Sequence, residues 1–107
     1  MNKQDWEGLY KQLEIYYLNF REYYNTSKNG SNQKIREQAS KDVTSEIKLA
    51  KRYIEKYPES FNLMIGEEDV GDYNRAIVWD EFFKLDYFNN DMEEFLKKIK
   101  DKIESIE

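Results

Sequence analysis

The sequence predicts an all-α fold, a small antiparallel bundle of three to four helices. Apolar residues recur at steps of three and four through most of the chain, which is the spacing of one helix face. No stretch sustains the period-two alternation of a half-buried strand. The breaks between the periodic stretches are short and rich in Gly, Asn, Ser and Pro, as suits neighbouring antiparallel helices.

The first helix is expected over about residues 3–25. Trp6, Leu9, Leu13, Tyr16, Phe20 and Tyr23 form one stripe, and Tyr10, Tyr17 and Tyr24 lie one step around it. Together they fill a sector of about 140°. Asn2 is placed to cap the helix, and Asp5 favours its positive end. The small polar run Thr26–Gly30 reads as a loop. Ser31 then caps a second helix over about residues 32–57, with Ile35, Ala39, Val43, Ile47, Ala50, Ile54 and Tyr57 on its core face. Pro58 disfavours helical backbone at Tyr57 and ends it. The alanines suit close approach to the tyrosines of the first helix.

Residues 59–71 are ambiguous. Phe61, Leu63, Met64 and Ile65 fit a single helical turn or a buried extended segment, and so short a run does not decide between them. A third helix is expected over about residues 70–86, capped by Asp72. Ala76, Ile77, Val78, Trp79, Phe82, Phe83 and Leu85 occupy most of its circumference, the mark of a buried helix. A fourth, over about residues 90–106, carries Met92, Phe95, Leu96, Ile99, Ile103 and Ile106 on one stripe, with Asn89 or Asn90 as its cap. Nothing marks a second domain, so residues 1–107 are expected to form one.

Composition narrows the chemistry. Among 107 residues there is no His and no Cys, but there are nine Tyr, six Phe and two Trp. The chain therefore lacks the usual general base at neutral pH, the thiol nucleophile and the soft metal ligands. It has no Gly-rich phosphate loop and no nucleophile elbow. The stretch Asp69–Asp80 has the length of an EF-hand loop, but Asn74 stands where Gly is required. No cofactor, no metal site and no enzymatic activity are expected. The net charge of −5 disfavours direct nucleic-acid binding. With no apolar run long enough to span a bilayer and no signal-peptide core, no membrane association is expected and the cytoplasm is the expected location. Abundant Lys, Asn, Ile, Tyr and Glu with little Ala suggest AT-rich coding sequence, hence a low-GC bacterium or its phage.

Four surfaces stand out. Between Glu59 and Glu94 carboxylates far outnumber the two cations, Arg75 and Lys84, and Glu67, Glu68, Asp69, Asp72, Asp80 and Asp86 form a candidate acidic face for a basic protein. Ile15 and Leu18 point away from the aromatic sector of the first helix, as contacts for an oligomer or a partner. Lys34, Lys41, Lys48 and Arg52, with Lys56, make a basic stripe, either a solvated surface or an anion-binding face. Tyr10, Tyr16, Tyr17, Tyr23 and Tyr24 with Trp79 and Arg75 could alternatively stack on a nucleotide-like ligand. The expected function is that of a non-catalytic protein-interaction module. It would be an inhibitor, immunity or antitoxin-like protein that occludes its target by shape and charge, and a homo-oligomer. The alternative is a protein that sequesters a nucleotide-derived small molecule.

Overall fold

The computed structural model describes residues 1–65 and 80–106. Among these, all regular structure is helical: α1 Lys3–Asn29, α2 Gln33–Ile54, α3 Glu59–Ile65 and α4 Leu85–Ser105, with a helical turn over residues 80–82 just before α4. The fold is all-α. The predicted acidic cluster Glu67, Glu68, Asp69 and Asp72 lies outside the described residues, as does most of the helix expected over 70–86.

Asn2 caps α1 as its sequence predicts. Its side chain accepts the Asp5 N–H at 2.9 Å, and the Asp5 carboxylate accepts the Asn2 N–H at 3.0 Å. Each satisfies an amide that the first turn leaves without a helical acceptor. The helix then runs one turn past the expected stop at Asn25. Ser27 donates to the Tyr24 carbonyl at 2.6 Å, and Asn29 donates to the Asn25 side chain at 2.8 Å. These short polar residues bond back along the helix instead of opening a loop. Gly30 closes it, its N–H bonded to the Thr26 carbonyl at 2.8 Å.

Asn32, one residue later than the expected Ser31, caps α2 by accepting the Ile35 N–H at 2.9 Å. The far end comes earlier than expected, at Ile54. Tyr57 N–H reaches back only to Ile54 at 2.8 Å, and Lys56 N–H to Tyr53 at 3.2 Å. The constraint that Pro58 places on Tyr57 is met by tightening the last turn to three-residue bonds. The ambiguous run after Pro58 is the two-turn helix α3, held by fully buried Ser60, whose hydroxyl donates to the Tyr57 carbonyl at 2.7 Å.

The largest departure is at α4. Asn89 and Asn90 lie inside it, not at its start. The helix opens at Leu85, and Lys84, at the cap position, makes no side-chain capping bond. The preceding helical turn ends at Phe82, short of the end expected at about residue 86. Burial accounts for both shifts. Phe88 is fully buried, 4.8 Å from the ring of fully buried Phe20 in an edge-to-face pair, and within 6.4 Å of Phe82, Phe83 and Tyr17. Burying one such side chain stabilises by roughly 1.5–3 kcal/mol, more than the ~1 kcal/mol of an N-cap.

α1 packs against both α2 and α4, and α3 against α4. Trp6, Leu9, Leu13, Tyr17 and Phe20 of α1 join Val43, Ile47, Ala50 and Ile54 of α2 and Met92, Phe95, Leu96 and Ile99 of α4 in one core. Ala39 and Ala50 are buried on the α2 side, as the small-against-large pattern requires. Ile35 departs from its expected core position and is 42% exposed. It sits in the first turn of α2, where only the last turns of α1 stand beside it.

Candidate functional site

α1 and α2 form an antiparallel hairpin. Tyr16 meets Tyr53 edge-on at 6.0 Å, Asn19 lies beside the Glu46 carboxyl, and Glu22, Tyr23 and Thr26 share a shallow groove with Ile35, Ala39 and Asp42. These contacts define the side of the hairpin that faces away from α4.

That outer side collects most of the misplaced apolar surface. Six large apolar or aromatic side chains are prominently exposed among the described residues: Ile15 at 51%, Leu18 at 59%, Ile35 and Leu49 at 42%, Leu85 and Tyr87. The first four lie on the α1–α2 hairpin, with Ile35 about 21 Å along α2 from Leu49. At about 100° per residue, Ile15 projects outward from α1 and Leu49 from α2, with Leu18 beside Ile15. Ile15 and Leu18 thus occupy the solvent-facing positions their spacing predicts. Leu49 is absent from the sequence-derived surface, although its separation from the core positions Ile47 and Ala50 was a usable signal.

The outward stripe of α1 is regular. Gln4, Gly8, Lys11, Ile15, Leu18, Glu22 and Asn25 follow one another at steps of four and three, and every one is exposed. Such spacing keeps the seven on one face of the helix, with Ile15 and Leu18 as its apolar centre. Gly8 belongs to it: a β-carbon there would meet nothing within 4 Å.

Beneath this surface lies Glu46, the one charged residue buried among the described residues, at 9% exposure. One of its carboxylate oxygens has no hydrogen-bond partner. Burial raises its pKa most, and the Asp42 carboxylate adds to the rise, while the hydrogen bond from Asn19 opposes them. Sequence reasoning missed this residue. The signal was the seven-residue step Ala39, Glu46, Tyr53 along the inner edge of α2. Tyr53 itself is pushed up to about 12, first by burial and then by its neighbours Tyr57 and Tyr16.

The other predicted surfaces lie elsewhere. Asp80 is exposed and pairs with Lys51 at 3.4 Å. Asp86 is exposed in the first turn of α4, where the helix dipole favours a carboxylate. Lys34, Lys41, Lys48 and Arg52 are all exposed on the solvent side of α2. Lys48 borders a cleft of about 400 Å³ lined by Tyr24, Lys28, Val43, Thr44, Ile47 and Phe83 among others, with no carboxylate among its described lining residues. Among the described residues the five tyrosines differ in their surroundings. Tyr17 is buried in the core and accepts a 3.4 Å hydrogen bond from Arg21, which also pairs with Glu93 at 2.8 Å. Tyr10 and Tyr16 pack on the core cluster, and Tyr24 reaches the cleft. Arg75 and Trp79 lie outside the described residues.

Among the described residues no group of acidic side chains could hold a metal ion, and no helix is long and apolar enough to cross a membrane. Comparison with protein-family models, with curated proteins and with solved structures finds no match.

Proposed function

We propose that this protein is a non-catalytic interaction module that works by presenting a helical surface to another protein. The observation that carries this reading is the exposed apolar set Ile15, Leu18 and Leu49 on one side of the α1–α2 hairpin. A core already filled by Phe, Leu and Ile has no use for these side chains, and a contact surface does. The carboxylate-rich stretch, with Asp80 and Asp86 exposed at its described end, supplies a field that steers a basic partner. Absence of His and Cys from the whole sequence fits action by occlusion and not by bond chemistry. An inhibitor, immunity or antitoxin-like role in the cytoplasm of a low-GC bacterium, or in its phage, is the setting that fits size, acidity and composition.

The test is Ile15→Asp combined with Leu49→Asp. Both sites are solvent-facing, so helical circular dichroism is expected to stay unchanged while association with any macromolecular partner is lost. Retained association by a folded double variant would reject this surface as the contact.

A second reading rests on the cleft beside Lys28 and Lys48. Its aromatic and aliphatic floor, with Lys28 and Lys48 at its rim and no carboxylate among its described lining residues, suits an anionic ligand with a flat apolar body, such as a nucleotide derivative. Thermal stabilisation by such a ligand, abolished by Lys48→Glu, would favour it. No stabilisation at millimolar ligand would dismiss it.

A further inference from the structure

We infer that the occupant of the outer hairpin surface is a second copy of this chain, docked about a two-fold axis that runs α1 antiparallel to its counterpart. The inference rests on the reading that this surface is a contact site, and it names the partner.

The α1 seam is complementary to its own reverse. Lys11, Ile15, Leu18 and Glu22 are spaced four, three, four. Reversing the direction of one helix about the midpoint between Ile15 and Leu18 sets Ile15 against Leu18 and Lys11 against Glu22. Each of these contacts then occurs twice, as an isologous interface requires. A parallel pairing about the same point would place Lys11 on Lys11 and Glu22 on Glu22. Lys11 and Glu22 make no ion pair with any described residue, unlike Arg21, which is engaged with Glu93. Their charges are available for a partner.

α2 falls into the same register. The Asn19–Glu46 and Tyr16–Tyr53 contacts place Leu49 level with Leu18, about 2 Å along the helix from the midpoint between Ile15 and Leu18. The same axis therefore brings Leu49 near its own copy, offset by about 4–5 Å, beside the Ile15–Leu18 centre. Gly8, with open space above it, lets the partner helix approach closely toward the end of the seam. From Gln4 to Asn25 the α1 seam is about 33 Å long at 1.5 Å per residue and about 10 Å wide, and α2, which overlaps its copy only over its last turns, adds about 10–15 Å by 10 Å. That footprint of roughly 450 Å² per copy is smaller than the ~800 Å² per partner of a standard specific interface, as suits a weak dimer.

The experiment is sedimentation equilibrium at about 1–200 μM on the full chain and on three charge variants, with circular dichroism to confirm folding. Wild type is expected to dimerise. Lys11→Glu alone and Glu22→Lys alone replace two attractive contacts with two repulsive ones, and each is expected to weaken the dimer about tenfold. The double variant Lys11→Glu/Glu22→Lys is expected to recover wild-type affinity within about threefold, and an equimolar mixture of the two single variants to form the heterodimer. A wild type that stays monomeric at 200 μM would overturn the inference. So would a double variant no better than the singles. If the wild type is monomeric but Ile15→Asp/Leu49→Asp still abolishes capture of a different protein, the contact surface stands and only its self-pairing is refuted. If neither association is found, both fall.

Discussion

Replacing Glu46 by Gln is expected to stabilise the protein, and to do so only where the carboxyl would be ionised. Glu46 is buried against the α1–α2 contact with one oxygen unpartnered, and burial raises its pKa. A raised folded-state pKa means that the folded chain holds this proton more tightly than the unfolded chain. The resulting stability is fully present below the unfolded value of about 4.3 and is lost as pH rises through the folded value. At neutral pH the wild type therefore carries an ionised carboxylate where a neutral group fits better. Gln matches the neutral carboxyl in shape and can accept the hydrogen bond from Asn19. An unsatisfied buried polar group costs about 1–3 kcal/mol. Glu46 lies under a thin layer of protein at the hairpin surface, so the low end applies, about 1 kcal/mol. For a chain of this length that is a rise in Tm of about 4–8 °C. The assay is thermal denaturation of wild type and Glu46→Gln across pH 4 to 8 by circular dichroism. Every other carboxylate is common to both proteins, so the difference isolates this site. The gain should be present at pH 7.5 and shrink toward zero at pH 4. A gain of the same size at both pH values, or none at pH 7.5, would refute the reasoning.

The two described glycines should respond in opposite directions. At Gly30 a β-carbon would sit 2.7 Å from the Thr26 carbonyl oxygen, which is backbone and cannot swing away, so Gly30→Ala should lower stability by about 1–3 kcal/mol in urea titration, as overpacking does. Gly8 has open space around it inside a regular helix, so Gly8→Ala should raise the stability of the monomer, read at low micromolar concentration, by about 0.5–1 kcal/mol. Equal effects at the two sites would contradict this placement of the α1 terminus. Phe88→Ala removes a fully buried ring that contacts Phe20, Phe82, Phe83 and Tyr17. It should cost about 3–5 kcal/mol, read as loss of the cooperative urea transition or a large fall in its midpoint. A cost below about 1 kcal/mol would mean that this first turn of α4 is not anchored through Phe88.

Elements whose signals are local are legible in the amino-acid sequence. The Asn2 cap and the aromatic stripe of α1 depend on residues within a turn or two of each other and act in the folded chain as their spacing implies, while the stop imposed by Pro58 is legible in kind but falls three residues early. The outward placement of Ile15 and Leu18 is legible for the same reason, since a helix face is a consequence of sequence separation alone. Where local signals compete with burial, burial prevails. Asn89 and Asn90 are good caps, yet they lie within α4 because carrying Phe88 into the aromatic cluster stabilises more than a cap does.

The candidate surface divides along the same line. Sequence by itself determined that the chain is helical, that it carries neither imidazole nor thiol, and that two branched aliphatics lie on the polar side of its first helix, because composition and helical periodicity belong to the chain whether or not it is folded. Only the tertiary structure decided that Leu49 is exposed on the same hairpin as those aliphatics, that Glu46 is shut in against Asn19, and that Lys48 borders a cleft while Lys51 pairs with Asp80. Each of these depends on how two helices far apart in sequence are rotated and shifted against each other, and that register is set by the packing of Phe, Leu and Ala between them.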